Sequence, residues 1–283
     1  GKVADLWAGP LNVVVGAETA RDSWDTSGPG FFGGGERTSS AAFAEANVPL
    51  LSSGGDRGGR EVLTLSLAGR LDNYSDFGEA STYQAGIEYR PVDSLHIRLA
   101  TATSFKPPSL LQLSGSESTF ASELFGLRDP MRGNEAIVGA DVVIGPSHSL
   151  VPETGDATTF GFTWEPEFAP GLRLGATFWA VDIEGLIAFL PPQLALNFEN
   201  LFPTLITRAP SVGGVPGQVT RIAYQNVNYG SVNVSGVDLE LTYARDTSLG
   251  EVTFSTSASR TGEYESQLVP GAPTQDRLGR RFF

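Results

Sequence analysis

Residues 61–105 read EVLTLSLAGRLDNYSDFGEASTYQAGIEYRPVDSLHIRLATATSF, and apolar and polar side chains alternate through most of this stretch. Successive side chains of a β-strand point to opposite faces, so each alternating run predicts a strand with one apolar and one polar face. The first run has Leu63, Leu65, Leu67, Gly69 and Leu71 on one face and Thr64, Ser66, Ala68, Arg70 and Asp72 on the other. The stretch as a whole predicts three consecutive strands.

The second and third runs repeat this pattern. Their apolar positions are Tyr83, Ala85, Ile87, Tyr89, Leu95, Ile97, Leu99 and Phe105, and their polar positions include Gln84, Glu88, Arg90, His96, Arg98 and Ser104. Charged side chains therefore fall on one face only. A sheet between hydrocarbon and water gives this pattern, but so does a soluble β-sandwich whose apolar faces pack together. Alternation alone leaves both architectures open.

Composition narrows the class of protein. The 283 residues include 34 Gly, 18 Pro and a single Met, which fits many strands joined by turns and disfavours a helical bundle. No apolar run approaches the roughly 18 residues that a membrane-spanning helix needs. The absence of cysteine excludes a disulfide scaffold and a thiol nucleophile. The net charge of -13 argues against a nucleic-acid partner, because binding phosphates requires a basic surface.

The linkers between the predicted strands alternate between short and long, as in a meander whose loops gather at one end. The longest linker follows Phe105 and extends to about Gly155, and a Pro-rich loop extends to about Gln218. The Gly-rich stretch from Trp24 to Glu36 is interpreted as a linker, and its Gly33-Gly34-Gly35 run as a flexible loop. One long strand region is predicted for residues 219–245. About nine complete strands result, and because bacterial single-chain barrels have even counts, they indicate an incomplete barrel.

The apolar side changes within two predicted strands. The strand that starts at Leu172 changes from even to odd apolar positions between Phe178 and Val181, and a later strand changes around Gly236. A β-bulge produces such a change, and so does a strand that leaves the hydrocarbon zone; Gly236 favours the bulge. Aromatic residues near strand ends fit either an interfacial girdle or ordinary sheet packing: Trp164, Phe178, Trp179 and Tyr243.

Seven short strings together resemble the barrel of TonB-dependent outer-membrane receptors, in the order typical of that family. The strings are AFAEANVPL at 42–50, LAGRLDNYSDFG at 67–78, YRPVD at 89–93, SFKPPSL at 104–110, LVPET at 150–154, VDIE at 181–184 and GVDLEL at 236–241. One string departs from the family, because Ser147-His148-Ser149 precede Leu150 where the family often has an Asn-Pro pair.

The resemblance implies an all-β fold, an antiparallel up-and-down transmembrane β-barrel. This chain is expected to supply about nine to ten strands of a barrel of about 22. Residues 1–283 then form one barrel segment, without the plug domain, the periplasmic box that contacts TonB, or the closing strands. Short turns such as 90–94 are expected on the periplasmic side, and long loops such as 106–154 on the extracellular side.

The resemblance also implies transport rather than catalysis. Such a receptor imports a scarce small-molecule ligand, of the siderophore, cobalamin or saccharide type, with energy from the TonB complex. It lies in the bacterial outer membrane, among lipid and lipopolysaccharide. The competing interpretation is a secreted or surface β-sandwich that acts in binding or adhesion.

Candidate substrate-binding residues lie on the predicted polar faces and in the long loops. They are Arg70, Asp72, Tyr74, Arg98, Phe120 and Phe125. Structural roles are favoured over ligand contact for both groups, because charges on neighbouring strands can pair and hold the plug, and loop aromatics can pack the loops.

Catalytic and metal-binding signatures are weak. His96 and His148 are the only histidines, and they lack the helical His-Glu spacing of a zinc site. No Gly-x-Ser-x-Gly nucleophile elbow occurs. We therefore expect no enzymatic activity, no cofactor and no dedicated metal site.

Overall fold

The computed structural model describes residues 1–28, 31–54, 59–248, 250–271 and 273–279. It begins with β1 (Lys2–Leu6), β2 (Gly9–Gly28), β3 (Phe31–Ser52), β4 (Glu61–Tyr74), β5 (Gly78–Val92) and β6 (Leu95–Lys106). The last three are the strands predicted from the alternation in residues 61–105, so that prediction is confirmed.

A first insertion separates β6 from the next long strand. It contains α1 (Leu110–Leu113), β7 (Ser118–Ala121), β8 (Arg128–Asp129), β9 (Glu135–Ala136) and β10 (Asp141–Ile144). Two long strands follow, β11 (Glu153–Trp164) and β12 (Leu172–Glu184).

A second insertion follows β12. It contains β13 (Ile187–Phe189), α2 (Pro192–Asn197), β14 (Ile206–Arg208), β15 (Val219–Tyr224) and β16 (Asn226–Asn228), and the chain then continues into β17 (Ser231–Thr247), β18 (Gly250–Gln267) and β19 (Gln275–Asp276). None of the described helices has the length and apolar character needed to cross a membrane. The single strand region predicted for residues 219–245 is wrong, because Gly230 adopts a left-handed φ of 82° and interrupts the strand before β17.

The main sheet joins eleven of the described strands, in the order β1-β2-β3-β4-β5-β6-β11-β12-β17-β18-β19, with antiparallel pairing throughout. β1 and β19 are short, and the other nine have 12 to 22 residues. Strands that follow each other along the chain are neighbours, apart from the two insertions. This confirms an up-and-down arrangement with about nine long strands.

The pairing register aligns the apolar side chains in rows that cross the sheet. One row contains Val48, Leu65, Ile87, Leu99, Phe160, Phe178 and Val237. The next row contains Leu63, Tyr89, Ile97, Phe162, Ala176 and Leu239. We call the side that carries these rows the apolar face and the opposite side, which carries Arg70 and Arg98, the polar face.

The apolar face is exposed. Leu71 is 66%, Phe160 50% and Leu67 45% accessible. A soluble sandwich would bury these side chains against a second sheet, because its core lies between the two inner faces. An exposed apolar face instead fits the lipid-facing side of a barrel wall, so the exposure counts against the sandwich interpretation.

The change of apolar side in β12 is not caused by a β-bulge. β12 pairs with β11 and β17 in unbroken register, and Val181 lies opposite Val234. These side chains are on the polar face beyond the apolar rows, so the explanation by a strand leaving the hydrocarbon zone fits β12. A register shift does occur opposite Ser235/Gly236, but its extra residue, Gly262, belongs to β18. β17 keeps an unbroken register with β12, so the bulge predicted in this strand around Gly236 is wrong. A Cβ at Gly236 would lie 2.5 Å from Cζ2 of Trp179, so the Trp179 side chain lies over Gly236 on the polar face. Residues of an interfacial girdle face lipid, so the girdle role is wrong for Trp179.

The two insertions fold together into one body, which we call the loop domain (residues 110–150 and 186–229). Its sheet has the order β14-β15-β10-β7, and β10 pairs in parallel with β15 through Val142 and Ile222. Its buried core contains Leu127, Ile137, Ala140, Val142, Leu190, Ala195, Leu196, Leu205, Ile206, Val219, Ile222 and Tyr229, and Val269 joins it from the segment after β18. The long linkers are therefore a folded unit.

The Gly-rich stretch is strand rather than flexible loop. β2 and β3 pair in continuous register from Asn12–Asn47 to Gly28–Phe31. Glycine has a low strand propensity, which explains the wrong interpretation. The glycines are needed where another segment approaches the backbone closely: a Cβ at Gly33 would lie 3.1 Å from the Cα of Gly115.

Candidate functional site: a cavity at the loop end of the sheet

A cavity of about 560 Å³ lies between the end of β2 and the loop domain. The larger apolar side chains of its lining are Trp24, Leu111, Phe120, Ile144, Pro146 and Phe189. Its volume falls within the range of about 300–1,000 Å³ that is usual for small-molecule sites. We call it the loop-end cavity.

Trp24 forms one side of the cavity. It pairs with Gly35 across the β2–β3 ladder, and its indole Nε1 donates a hydrogen bond of 3.1 Å to Oγ of Ser114. A Cβ at Gly35 would collide with that Ser114 hydroxyl and with the indole. α1 is fixed by a capping box, in which Ser109 and Gln112 each bind the other's backbone N–H. The glycine ladder and the capped helix together hold the indole in place.

Aromatic side chains of the loop domain form the opposite side. The ring of Phe189 lies edge-on to Tyr224 at 5.4 Å, and Phe120 contacts Phe125, which in turn contacts Tyr224. The Tyr229 hydroxyl donates a 3.3 Å hydrogen bond to the Phe189 carbonyl. Burial raises the pKa of the Tyr229 phenol, so this donor keeps its proton at neutral pH. These contacts hold Phe189 and Phe120 in place on this side of the cavity.

The polar part of the lining is uncharged. It consists of hydroxyl and amide side chains: Thr26, Ser109, Gln112, Ser114, Ser116, Ser118 and Asn226. Asn226 is only 6% exposed as a residue, and its side-chain amide forms no hydrogen bond within the described part of the chain. Because no fully buried side-chain nitrogen or oxygen lacks a partner there, the amide atoms are open to the cavity that they line. An amide of this kind offers a donor and an acceptor to whatever occupies the cavity.

A buried ion cluster holds the loop domain together. The guanidinium of Arg208 donates to both carboxylate oxygens of Asp129, at 2.6 and 2.8 Å, and to Glu199 at 2.6 and 2.8 Å. Burial works to raise the pKa of the Asp129 carboxyl, but the hydrogen bonds and charge of Arg208 outweigh it, so the pKa lies below its ordinary value. The two carboxylates raise the pKa of the Arg208 guanidinium. The cluster ties β14 to β8, across the two insertions.

Several charges on the polar face of the main sheet form ion pairs with each other. Nε of Arg70 donates to both oxygens of Asp72 at 3.0 Å, and its Nη1 donates to Glu18 at 3.2 Å. The same guanidinium lies 6.0 Å from the ring centre of Phe43. Asp72 is almost fully buried, so the pairing satisfies a charge that would otherwise be costly there.

A second group lies nearer the short turns. Nη2 of Arg98 donates a 2.9 Å hydrogen bond to Oγ1 of Thr177, and Nε2 of His96 lies 3.1 Å from Glu88. Arg98 pairs with Gly161 in the register, and Gly161 pairs with Thr177. The arginine therefore reaches across a strand that has no side chain at this position.

The sequence matches one family over nearly its whole length. Residues 4–280 match the model of the TonB dependent receptor-like beta-barrel family. The chain belongs to this family. The family is one of transport receptors, and the match confirms the resemblance inferred from the seven strings. No protein of curated function matches the sequence significantly.

Solved receptors of this family share the fold. A mutant of the ferric enterobactin receptor PfeA from Pseudomonas aeruginosa superposes with a TM-score of 0.62 at 16% identity, covering 91% of this chain and 36% of that chain. The siderophore receptor PirA from Acinetobacter baumannii gives a TM-score of 0.54 at 13% identity, covering 93% and 38%. The chain therefore spans well under half the length of these receptors. At such identities the likeness establishes the fold alone.

The predicted site residues of this TonB-dependent receptor segment are scattered. Phe120 lines the loop-end cavity, whereas Phe125 packs behind it, and Arg70, Asp72 and Arg98 bind neighbours on the polar face.

Tyr74 belongs to a separate aromatic group. It stacks on Phe77 at 4.5 Å and meets Phe105 edge-on at 5.9 Å. Arg37 lies 5.6 Å from the Tyr74 ring, forms a 2.5 Å ion pair with Asp76 and donates to the carbonyl of Pro108. This group ties the turn after β4 to the start of the first insertion.

Sequence reasoning missed Trp24, Phe189 and Asn226 as cavity residues. Trp24 falls in a predicted linker, although it shares even parity with Glu18 on the polar side of β2. Phe189 and Asn226 are brought to the cavity by the pairing of β13 with β16. That pairing lies within an insertion whose fold has no sequence signal of the strength seen in residues 61–105.

Proposed function

We propose that this chain forms part of the wall and the extracellular loops of an outer-membrane receptor that imports a scarce solute with energy from the TonB complex. The solute would be of the siderophore, cobalamin or saccharide type. The observation that carries the proposal is the division of one sheet into an exposed apolar face and a polar face that carries ion pairs, with a cavity of small-molecule size at one end.

The arrangement of linkers supports a sidedness. The turns between β1 and β2, between β5 and β6 and between β11 and β12 lie at one end of the sheet, and both insertions lie at the other. Barrels of the outer membrane have short periplasmic turns and longer extracellular loops. The loop domain is then extracellular, and the apolar face contacts lipid and, at its outer edge, lipopolysaccharide.

The site residues divide into two roles in this proposal. Phe120, in the cavity wall, contacts the solute. Arg70, Asp72, Tyr74 and Arg98 keep the wall polar and rigid beneath the loops, and meet the solute or the plug only along the passage. The contacts that support this division are the ion pair of Arg70 with Asp72 and the hydrogen bond of Arg98 to Thr177.

Uptake by whole cells tests the proposal. The full-length receptor would be expressed in an outer-membrane host with and without a functional TonB protein, and accumulation of labelled ferric chelates, cobalamin and neutral oligosaccharides would be measured. We expect at least one solute to accumulate only when receptor and TonB are both present. Accumulation of every solute at the rate of receptor-free cells would contradict the proposal.

A further inference from the structure

We propose that the loop-end cavity takes a neutral, hydroxyl-rich ligand of the oligosaccharide class rather than an anionic metal chelate. This inference rests on the proposed uptake function and names the class of its solute. Three observations carry it: none of the described lining residues is charged, aromatic rings contribute much of the apolar lining, and the Asn226 amide is open to the cavity without a hydrogen-bond partner among the described residues.

The absence of charge in the cavity contrasts with the rest of the protein. The sequence has 19 basic and 32 acidic residues, yet none of the described residues that line the cavity is ionisable. A smaller hollow of about 370 Å³ on the polar face is lined by Glu18, Glu45 and Arg70. Glu117, which approaches Gly145 beside the cavity, is paired with Arg221 at 3.5 Å. Charged side chains are therefore common in this protein, but the described ones lie outside the cavity lining.

An uncharged lining selects against an anion. An anion that leaves water for a partly apolar site loses hydration, and it recovers that free energy only through cations or several directed donors. Arginine is the usual protein partner for such ligands, because its guanidinium binds carboxylates and phosphates through two parallel bonds. No described lysine or arginine lines the cavity. A neutral ligand has no comparable cost of entry.

The hydrogen-bonding groups of the lining match hydroxyls. The Asn226 amide presents one acceptor and two donors, and the hydroxyls of Ser116 and Ser118 act as both donor and acceptor. A ligand hydroxyl is also both donor and acceptor, so it can bond to either end of the Asn226 amide. Since the Asn226 amide is open to the cavity and has no partner among the described residues, a ligand that supplies such a group can bond to it directly in place of water.

The aromatic wall suits the other surface of a sugar. The indole N–H of Trp24 is already bound to Ser114, so the ring contributes apolar area to the cavity together with Phe120 and Phe189. A pyranose ring has a face of C–H groups that packs on such a surface, while its hydroxyls point to the sides. Apolar and hydrogen-bonding groups therefore occur together in the cavity, as they do in the ligand.

Binding to the purified full-length receptor tests the inference. Neutral oligosaccharides of two to six hexose units with different linkages, and ferric enterobactin as an anionic chelate, would be titrated while heat and tryptophan fluorescence are recorded. We expect binding of at least one oligosaccharide, and no competition by the chelate. Trp24→Ala and Asn226→Asp should each weaken that binding about tenfold or more, the loss of one stacking or one buried hydrogen-bonding contact.

The control is Phe168→Ala, which removes an exposed aromatic ring at the opposite end of the sheet and should leave the affinity unchanged. Asn226→Asp keeps the shape of the side chain, and slower gel migration of boiled samples checks that each variant is folded. Absence of oligosaccharide binding, binding that ignores both cavity variants, or displacement by ferric enterobactin would each overturn the inference. Uptake of ferric enterobactin in a TonB-dependent manner would leave the proposed function standing and refute this inference alone.

Discussion

Arg98 and Leu99 are consecutive residues of β6 that lie on opposite faces of one sheet. Arg98 donates a hydrogen bond to Thr177 on the polar face, while Leu99 is 45% exposed in a row of apolar side chains. A wall that is a single sheet thick and presents these two surfaces needs a different solvent on each side. Hydrocarbon on one side and an aqueous interior on the other meet this requirement.

The bridge from Arg98 to Thr177 depends on a glycine. A Cβ at Gly161 would lie 2.8 Å from Oγ1 of Thr177 and 2.8 Å from the carbonyl oxygen of Ala176. We expect Gly161→Ala to lower the free energy of unfolding of the full-length receptor in lipid vesicles by about 1–3 kcal/mol. The matched control is Gly69→Ala, because nothing lies within 4 Å of a Cβ there. Equal stability of the two variants would show that the bridge is not sterically constrained.

The ion cluster of the loop domain should be essential to its fold. Arg208→Ala leaves the carboxylate of Asp129, which is 2% exposed, without its main partner, and breaking a buried pair costs about 3–5 kcal/mol. We expect rapid protease cleavage in the loop domain and an intact barrel. Arg221→Ala, which removes a half-exposed ion pair with Glu117, should cost about 1 kcal/mol or less. Comparable protease resistance in both variants would contradict a structural role for the cluster.

The same cluster predicts that the loop domain loses stability at low pH. The pKa of Asp129 is lower in the folded protein than its ordinary value, so the carboxylate contributes its full stabilisation at every pH above the unfolded pKa of about 3.9. That contribution is lost as the pH falls through the folded pKa. Hydrogen exchange of loop peptides, corrected for the intrinsic rate, should stay slow from pH 7 to about 4 and quicken below. Asp129→Asn should lack this step; loosening of the native loops already near pH 6 would be inconsistent with it.

The wall of the barrel is predictable from sequence because apolar and polar side chains alternate along each strand with a period of two. The register follows from it: Leu65, Ile87 and Leu99 share a row because any one-residue slip would carry a whole apolar set to the wrong face. The same signal fails at the ends of strands. Val181 and Val234 lie beyond the apolar rows, where the facing of an apolar side chain is no longer fixed by lipid.

The candidate site was mostly beyond prediction. Its walls come from β2 and from both insertions, and the loop domain is assembled only when Val142 pairs with Ile222, which is distant in the sequence. Short strands with long-range partners carry little local periodicity. Phe120 is predictable as an aromatic residue in a long loop, whereas Trp24 is not, because the glycines that let it pack are also typical of flexible loops.

Single-cysteine labelling tests most directly which face meets lipid, since the sequence itself contains no cysteine. Leu65→Cys and Leu99→Cys would place a fluorophore on the apolar face, and Ser66→Cys and Ala100→Cys on the polar face of the same strands. In lipid vesicles we predict that lipid-attached nitroxide quenches the first pair and that aqueous iodide quenches the second. Equal quenching at both pairs, or iodide access to Leu65 and Leu99, would contradict a barrel wall between hydrocarbon and water.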